Sequence, residues 1–394
     1  MIISKSDLAV GVAANVTAAL VAFVAGLLLR KLIKRRRMRS HPIRKRRYGQ
    51  RKFSEAMSSW IVDYYDTRGA ESELYAVSGK GRISRLPFLS LPKWQYPELG
   101  PQLAPTFDEP LKKSTTPIKR SVLRSIGAFI PLVKEDGSPW NDPLITLLKM
   151  GEGSEGFHVG WSEYYQYLSS CGALELETRS ASMRGSKTPI RDRHLSNVEC
   201  AGRCSLGSQA VGVCASVVYY NEKRDPVILL QRRKENLATY PGAFAVVPMF
   251  GCQPLSSDPA TGFSPEHDLF REFGEELFGV PELVHPTNHI RIDWFYDIPA
   301  IRHLEQLRSK GDLEIRTLGF GFDGLNGELD LAMICLFKSQ EFFSHNRSGM
   351  RTNWEIRNVV EFELFSTEVD NIIHGGQCHP GSAFAIDLAR RYLA

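Results

Sequence analysis

One helix, predicted at residues 265–278, constrains the fold more than any other segment because its two faces require different surroundings. Ser264 can cap its first free amides, Pro265 suits the first turn, and Gly279 suits the left-handed residue that follows a helix. An apolar stripe runs along one face: Leu269, Phe270, Phe273 and Leu277. Because such a stripe must be buried, the helix is predicted to pack on a sheet.

The opposite side of this helix carries carboxylates at positions i, i+4, i+7 and i+8: Asp268, Glu272, Glu275 and Glu276. Like charges at these spacings destabilise a helix by about 0.2–0.5 kcal/mol per pair. A hard divalent cation, Mg²⁺ or Mn²⁺, would remove that cost and is the kind of ion that carboxylates hold beside substrate phosphates. The alternative is a charged helix face in contact with solvent.

Strand-like segments lie on both sides of the helix. Those with apolar or alternating residues are 143–150, 209–220, 227–235, 242–251, 289–298, 315–323, 329–337 and 359–365. Further predictions are helices at 53–67 and 161–171, a short strand at 173–178, and a closing helix from 381 with Ser382 as its N-cap. Strands before and after one central helix predict an α/β fold, with a mixed sheet sandwiched by helices.

The N-terminal part of the chain has a membrane signature. Residues 8–29 contain no charge, and a helix of this length spans a hydrocarbon core of roughly 30 Å. Lys5 is the only basic residue before this run, and 13 Lys/Arg follow it up to residue 52. This distribution favours a retained single-pass anchor over a cleaved signal peptide, with the rest of the chain in the cytoplasm.

Composition divides the chain into four parts. Residues 1–30 are the predicted anchor, 31–52 a basic juxtamembrane segment, 53–195 a proline-rich connector and N-terminal subdomain, and 196–394 the α/β domain. The basic segment is expected to bind anionic headgroups, and no specific DNA binding is predicted. Small residues recur every fourth position of the span (Ala14, Ala18, Ala22 and Gly26). This spacing favours homo-oligomers, although alanine is also common in such helices.

Two other patterns bear on cofactors. The seven cysteines predict free thiols, and Cys200 and Cys204 have no second pair at structural zinc spacing. Residues 151–156 match G-x-G-x-x-G, the phosphate loop of dinucleotide-binding folds. Glu152 and Glu155 would repel a pyrophosphate there, so a flexible turn is the favoured interpretation.

The central helix resembles a known motif. Arg271-Glu272-x-x-Glu275-Glu276 is similar to the core of the Nudix box, G-x5-E-x7-R-E-U-x-E-E-x-G-U, in which U is a bulky aliphatic residue. The segments VILLQRR and GAFAVVPMFG resemble the strands that enter the box, with Gly251 near its first glycine. The resemblance implies metal ligation by Glu275, Glu276 and Glu272. It also gives Glu272 a catalytic role in activating water, and Arg271 one in holding the glutamates by ion pairing.

The sequence departs from this motif before the helix. Gly251 and Arg271 are 20 positions apart where the box has 14, and Phe263 stands where its first glutamate would fall. Glu266 or Asp268 could substitute in a different register. Two further residues, Arg232 and Arg233, end a strand that leads toward the site, and we expect them to meet substrate phosphates or to be solvated.

The order of segments resembles the SMODS-associated NUDIX proteins, membrane effectors of bacterial CBASS antiphage systems. This resemblance implies an inner-membrane protein that responds to a cyclic nucleotide and hydrolyses a nucleoside-diphosphate compound with Mg²⁺. Two alternatives stay open. The chain could be a catalytically inactive nucleotide sensor that assembles in the membrane, or a membrane-tethered housekeeping Nudix hydrolase.

Overall fold

The computed structural model describes the chain with gaps. The described residues are 55–79, 81–99, 106–107, 141, 143–150, 157–235, 240–255, 262–280, 294–353 and 355–394. The predicted span at 8–29, the basic segment at 31–52 and the G-x-G-x-x-G match at 151–156 lie outside them. Across the described ranges, no helix has both the length and the apolar character that crossing a bilayer requires.

The described strands form one twelve-stranded sheet. They are β1 Leu74–Gly79, β2 Arg82–Leu89, β3 Thr106–Phe107, β4 Pro143–Met150, β5 Phe157–Glu163, β6 Gln209–Tyr220, β7 Pro226–Arg233, β8 Phe244–Val246, β9 Met249–Gly251, β10 Leu313–Asp323, β11 Leu329–Phe337 and β12 Ile356–Glu363. The main order is β1-β2-β10-β11-β6-β4-β5-β3. In addition, β7 and β9 pair with β6, and β8 and β12 pair with β7.

Strand β6 is the centre of this sheet. It pairs in parallel with β11 along one edge, from Val211 opposite Leu329 to Tyr219 opposite Phe337. Along its other edge it pairs antiparallel with β4, β9 and β7 in succession. A strand with partners on both edges and helices on both faces must be apolar throughout, which explains its β-branched, almost fully buried sequence. The predicted mixed sheet is confirmed.

Helices cover both faces of the sheet, as predicted. They are α1 Glu55–Asp66, α2 Tyr164–Arg184, α3 Pro189–His194, α4 Val198–Gly202, α5 Pro265–Glu272, α6 Pro299–Lys310, α7 Glu341–Asn346, α8 Thr367–His374 and α9 Pro380–Leu393. Successive residues of β6 point to opposite faces. Val213 and Val217 join the core that contains α1, α5 and α6. Cys214 and Val218 join the core that contains α8 and α9.

Residues 52–394 form one compact unit, so the predicted boundary between 195 and 196 does not separate two domains. Strand β2 pairs with β10 through Leu89 opposite Phe322, and β4 pairs with β6. The fully buried Arg191 donates to the Leu325 carbonyl at 3.0 Å and to the Tyr65 hydroxyl at 3.1 Å. The segment predicted as a separate subdomain therefore supplies strands and core side chains to a common sheet.

Three local predictions are wrong. Residues 173–178 continue helix α2 and form no strand. Their apolar side chains pack against the core as part of this helix. Trp294–Asp297 is a short 3₁₀ turn where a strand was predicted. Helix α9 starts at Pro380, and its cap is His379, whose Nδ1 accepts from the Ser382 amide at 3.4 Å. Ser382 is therefore inside the helix.

Candidate functional site

Helix α5 begins where the sequence predicts and then changes its winding. The Ser264 hydroxyl accepts from the His267 amide at 3.3 Å, which confirms the predicted cap. After Glu272 the chain continues as a π-helical turn over Phe273–Leu277, and Gly279 follows with φ of +60°. A π-helical turn is wider than an α-helical one, so it changes the directions in which Glu275 and Glu276 point relative to the first turn. Such turns occur frequently at functional sites.

Arg271 lies among the carboxylates of this helix. Its guanidinium pairs with Glu272 at 2.8 Å, with Glu275 at 3.0 Å and with Asp268 at 3.3 Å. Asp268 also accepts the Gln253 amide at 2.8 Å. The ion pairing expected of Arg271 is therefore present, and it brings Asp268 into the same group as two of the predicted metal ligands.

Glu276 is held separately, on the side of the sheet. Its carboxylate accepts from the side-chain amide of Gln231 at 3.3 Å and from the Met249 backbone amide at 3.3 Å. Gln231 also donates to the Val246 carbonyl at 2.9 Å, so its amide group is fixed between β8 and the π-helical turn. Two strands and one helix therefore converge on this carboxylate.

Charges from β7 and β12 act on Glu276. Arg233 ends β7, and its positive charge lowers the pKa of Glu276, whereas the carboxylate of Glu355 raises it. The backbone of Glu355 lies beside the same strand end, because the Lys234 amide donates to its carbonyl at 3.0 Å. Glu355 thus contributes negative charge to the environment of Glu276.

The carboxylates of this site are buried, which is unusual for acidic side chains. Asp268, Glu272, Glu275 and Glu276 are 2, 8, 4 and 2% exposed, respectively. Burial raises the pKa of Asp268 to about 6, against the lowering effect of Arg271. Burial likewise raises the pKa of Glu272 and of Glu276 well above the usual range. A solvated charged face, the alternative interpretation of this helix, does not describe these side chains.

The residue types of this site suit a hard divalent cation, although the ligand atoms of Glu272, Glu275 and Glu276 do not all lie within 4.8 Å of one another here. Oxygen atoms from Glu272, Glu275 and Glu276 are the ligand type that Mg²⁺ and Mn²⁺ prefer. Arg271 supplies one positive charge within hydrogen-bond distance of three carboxylates, so the group is short of positive charge when ionised. A divalent ion would offset the excess negative charge of the carboxylates and lower the pKa values that burial raises.

The two strand-end arginines face different environments. Arg233 is on the side of β7 that carries Gln231, toward Glu276, because alternate residues of a strand share a face. Arg232 faces the other way, with its guanidinium 5.2 Å from the centre of the Phe244 ring. It lines a cavity of about 370 Å³ together with Phe244, Arg357, Asn358, Val360 and Phe362.

Sequence reasoning missed Gln231 and left the choice between Glu266 and Asp268 open. Glu266 pairs with Arg308 at 2.5 Å, away from the carboxylate group, while Asp268 joins Arg271. Phe263 is 4% exposed and packs in the core. The signal that could have indicated Gln231 is its position in an otherwise apolar buried strand, where a polar side chain needs a partner.

Comparison with known proteins finds matches among solved structures alone. No family model matches this chain, and neither does any curated protein sequence. The chain is similar to the crystal structure of the Nudix hydrolase RenU from M. smegmatis, with 13% identity over 47% of this chain and 86% of that one and a TM-score of 0.26. It is also similar to a Nudix hydrolase from Alicyclobacillus acidocaldarius, with 13% identity over 46% and 91% of the two chains and a TM-score of 0.27.

Proposed function

We propose that this chain is a membrane-anchored nucleotide effector in which helix α5 and its π-helical turn hold Mg²⁺, or Mn²⁺, and hydrolyse a nucleoside-diphosphate linkage. The observation that carries the proposal is the burial of four carboxylates, three of which share the guanidinium of Arg271 while the fourth, Glu276, accepts from Gln231 and Met249. Burying several acidic groups is costly unless a cation compensates them. The likeness of Arg271-Glu272-x-x-Glu275-Glu276 to the Nudix box supports the same chemistry.

Each residue of the site has a part in this reaction. Bound Mg²⁺ would neutralise phosphoryl oxygens and make its bound water easier to deprotonate. Glu272 would accept a proton from that water as its carboxylate. Arg271 keeps Glu272 and Glu275 oriented, and Gln231 together with the Met249 amide fixes Glu276.

The cellular setting follows from the segments before the compact unit. The uncharged run at 8–29 would anchor the chain in a bacterial inner membrane, and the basic residues at 31–52 would bind anionic lipids on the cytoplasmic side. The small residues of the span would allow the anchors to assemble. In this arrangement a cyclic nucleotide made during phage infection is the signal, as in CBASS systems.

A second candidate function is binding without turnover. Phe263 stands where the motif has its first glutamate, which removes one carboxylate from the catalytic set. The Arg232 cavity offers guanidinium groups for phosphates and phenyl rings for a base, from Arg232, Arg357, Phe244 and Phe362. A nucleotide held there would act as a signal, and the carboxylate group would be structural.

One experiment distinguishes these functions. The full chain, purified in detergent, is incubated with Mg²⁺, a panel of nucleoside-diphosphate compounds and a panel of cyclic oligonucleotides. Phosphate release and ligand binding are measured in parallel. Hydrolysis that E276Q abolishes and E266Q leaves intact supports the enzyme, because Glu266 lies on the same helix but pairs with Arg308 outside the group.

The remaining outcomes separate the alternatives. Binding of a cyclic oligonucleotide without hydrolysis supports the sensor. Hydrolysis that no cyclic nucleotide affects indicates a housekeeping hydrolase and contradicts the effector role. If no compound of either panel binds or is cleaved, the proposed nucleotide chemistry is wrong for those ligands.

A further inference from the structure

A second group of potential metal ligands lies on the other face of the sheet. Within the described ranges, Cys214, Asp330 and His379 are the one set of three such residues whose ligand atoms all lie within 4.8 Å of one another. They come from β6, β11 and the residue that caps α9. All three are buried, at 1, 5 and 5% exposure. This group shares no residue with the carboxylates of α5.

Asp330 is the residue that needs an explanation. Its Oδ2 atom is completely buried and accepts no hydrogen bond from the described protein atoms. Glycines border the carboxylate on two sides: a Cβ at Gly381 would lie 2.3 Å from Oδ2, and one at Gly212 would lie 2.9 Å from Oδ1. Neither glycine has a positive φ, so the backbone conformation does not require glycine at these positions. The lack of a side chain does matter, because a Cβ would clash with the carboxylate. Glycines of β6 and helix α9 therefore let the backbone approach a carboxylate whose Oδ2 accepts no hydrogen bond from the described residues.

We propose that Cys214, Asp330 and His379 bind one Zn²⁺ ion, or a similar late transition-metal dication, between the sheet and helix α9. Thiolate, imidazole and carboxylate are the three ligand types of protein zinc sites, and the thiolate disfavours Mg²⁺. Zinc–ligand bonds of about 2.0–2.3 Å allow two ligand atoms on one ion to be at most roughly 4.5 Å apart. Small side-chain rotations would therefore bring the three atoms to bonding distance.

The surroundings of His379 fit a metal ligand. Its Nε2 lies 3.8 Å from Oδ2 of Asp323, and its ring contacts Tyr240 at a centroid distance of 4.3 Å. A ligating histidine commonly points its second ring nitrogen at such a carboxylate, which fixes the tautomer. Nδ1 would then bind the ion in place of its 3.4 Å contact with the Ser382 amide, because its one lone pair cannot serve both.

The charges balance when the ion binds. Zn²⁺ would bind the thiolate of Cys214, the carboxylate of Asp330 and the neutral imidazole of His379, and the proton of the thiol would pass to solvent. The bound site would then have no net charge. A neutral site avoids most of the cost of burying an ion.

The proposed ion would link the two faces of the sheet. Cys214 is opposite Met249 in the β6–β9 pair, and the Met249 amide donates to Glu276 on the other face. A metal bond at Cys214 would therefore fix the part of β6 that pairs with β9, and with it the Met249 amide that orients Glu276. The role is structural and does not depend on the proposed hydrolase activity.

The test measures metal content in the full chain and four variants. The purified chain should contain about one zinc ion per molecule by mass spectrometry. C214S and D330N should each lower this content at least tenfold. C335S and E276Q should retain it, because Cys335 is a buried cysteine on the opposite face of β11 and Glu276 belongs to the α5 site.

Reconstitution with Co²⁺ gives a second readout, the absorption spectrum of the bound metal. The wild-type chain, stripped of metal, should acquire the near-ultraviolet absorption of a cobalt–thiolate bond, and C335S should acquire the same band. No zinc in the purified chain together with no Co²⁺ spectrum would overturn the proposal. A cobalt complex without the thiolate band, or zinc that persists in folded C214S and D330N, would overturn it as well.

Discussion

The side-chain amide of Gln231 donates to Glu276 at 3.3 Å and to the Val246 carbonyl at 2.9 Å, so one buried glutamine connects the sheet to the π-helical turn. A glutamine in the middle of an apolar strand is tolerated only with such partners. Its position makes the orientation of Glu276 a property of the sheet and not of helix α5 alone. A substitution of Gln231 should therefore change both the stability of the protein and its binding of Mg²⁺.

Replacing Gln231 with methionine should lower the free energy of unfolding by about 1–3 kcal/mol, because a charged acceptor and a carbonyl lose their donor. Q209M is the matched control. Gln209 is a buried glutamine of β6 whose side chain donates only to the Gly327 carbonyl, at 3.1 Å. Urea unfolding without Mg²⁺ measures the loss of stability, and its change on adding Mg²⁺ measures how strongly each variant binds the ion. Only Q231M should also weaken Mg²⁺ binding, and equal loss in both variants would contradict the role of the Gln231–Glu276 contact.

Replacing Arg271 with methionine should destabilise the metal-free protein by about 3–5 kcal/mol, because it leaves buried carboxylates without their cation. Added Mg²⁺ should recover part of this loss. R308M should cost no more than about 1 kcal/mol, since the Arg308–Glu266 pair is more than one-third exposed. Thermal unfolding measures the ranking. A similar melting temperature for the two variants would show that Arg271 does not compensate the group.

Asp268 should make stability depend on pH. Burial raises its pKa from 3.8 to about 6, so between these values the folded protein holds a proton that the unfolded chain has released. Wild-type stability should therefore decrease as pH rises from 4 to 6, by up to about 3 kcal/mol relative to D268N. Urea unfolding of both proteins across this range isolates Asp268, because other titrating groups are common to both. Parallel curves would refute the assignment.

Gly279 should tolerate alanine poorly. Its φ of +60° costs an L-residue about 1–2 kcal/mol, and a Cβ would lie 3.1 Å from that of Arg351. Gly69 has a similar φ of +68° with no atom within 4 Å of its built Cβ, so G69A measures the backbone contribution alone. Chemical denaturation should show G279A to be the more destabilised variant. Equal effects would mean that the Arg351 contact adjusts at no cost.

The two strand-end arginines should have separable effects. If the chain is the sensor, R232M should weaken nucleotide binding in the Arg232 cavity by at least about tenfold, the loss expected for a charged hydrogen bond; if it is the hydrolase, R232M should leave metal-dependent turnover unchanged. R233M should alter turnover, because its charge acts on Glu276. Isothermal titration and phosphate release distinguish them. The reverse pattern would show that substrate phosphates meet Arg232 and not Arg233.

The fold was predictable where periodicity and end signals agree. Strands β6, β10 and β11 and the start of α5 combine apolar patterns with turn or cap residues, and the structure contains each of them. The strand predicted at 173–178 failed because alternation over six residues also fits one side of the long helix α2. Local pattern cannot decide between these conformations when tertiary packing selects one.

The ion pairs around Arg271 were predictable from the sequence, but the other contacts of these carboxylates were not. The grouping of Asp268, Glu272 and Glu275 around Arg271 follows from helical spacing, which a sequence displays. The π-helical turn, the Gln231 contact and the burial of Glu276 depend on how β7, β8 and β9 approach the helix. Cys214, Asp330 and His379 lie far apart in sequence, so spacing rules for zinc motifs could not indicate them.

The pairing of β2 with β10 and of β4 with β6 has a consequence for cooperativity. A chain that began at residue 196 would lose strands from two places in the sheet and the Arg191 side chain from the core, and its remaining strands would have exposed edges. Residues 52–394 should therefore unfold in a single transition, and proteolytic cleavage near residue 195 should release no stable fragment. Unfolding of any part of this unit would therefore also disrupt the carboxylate site.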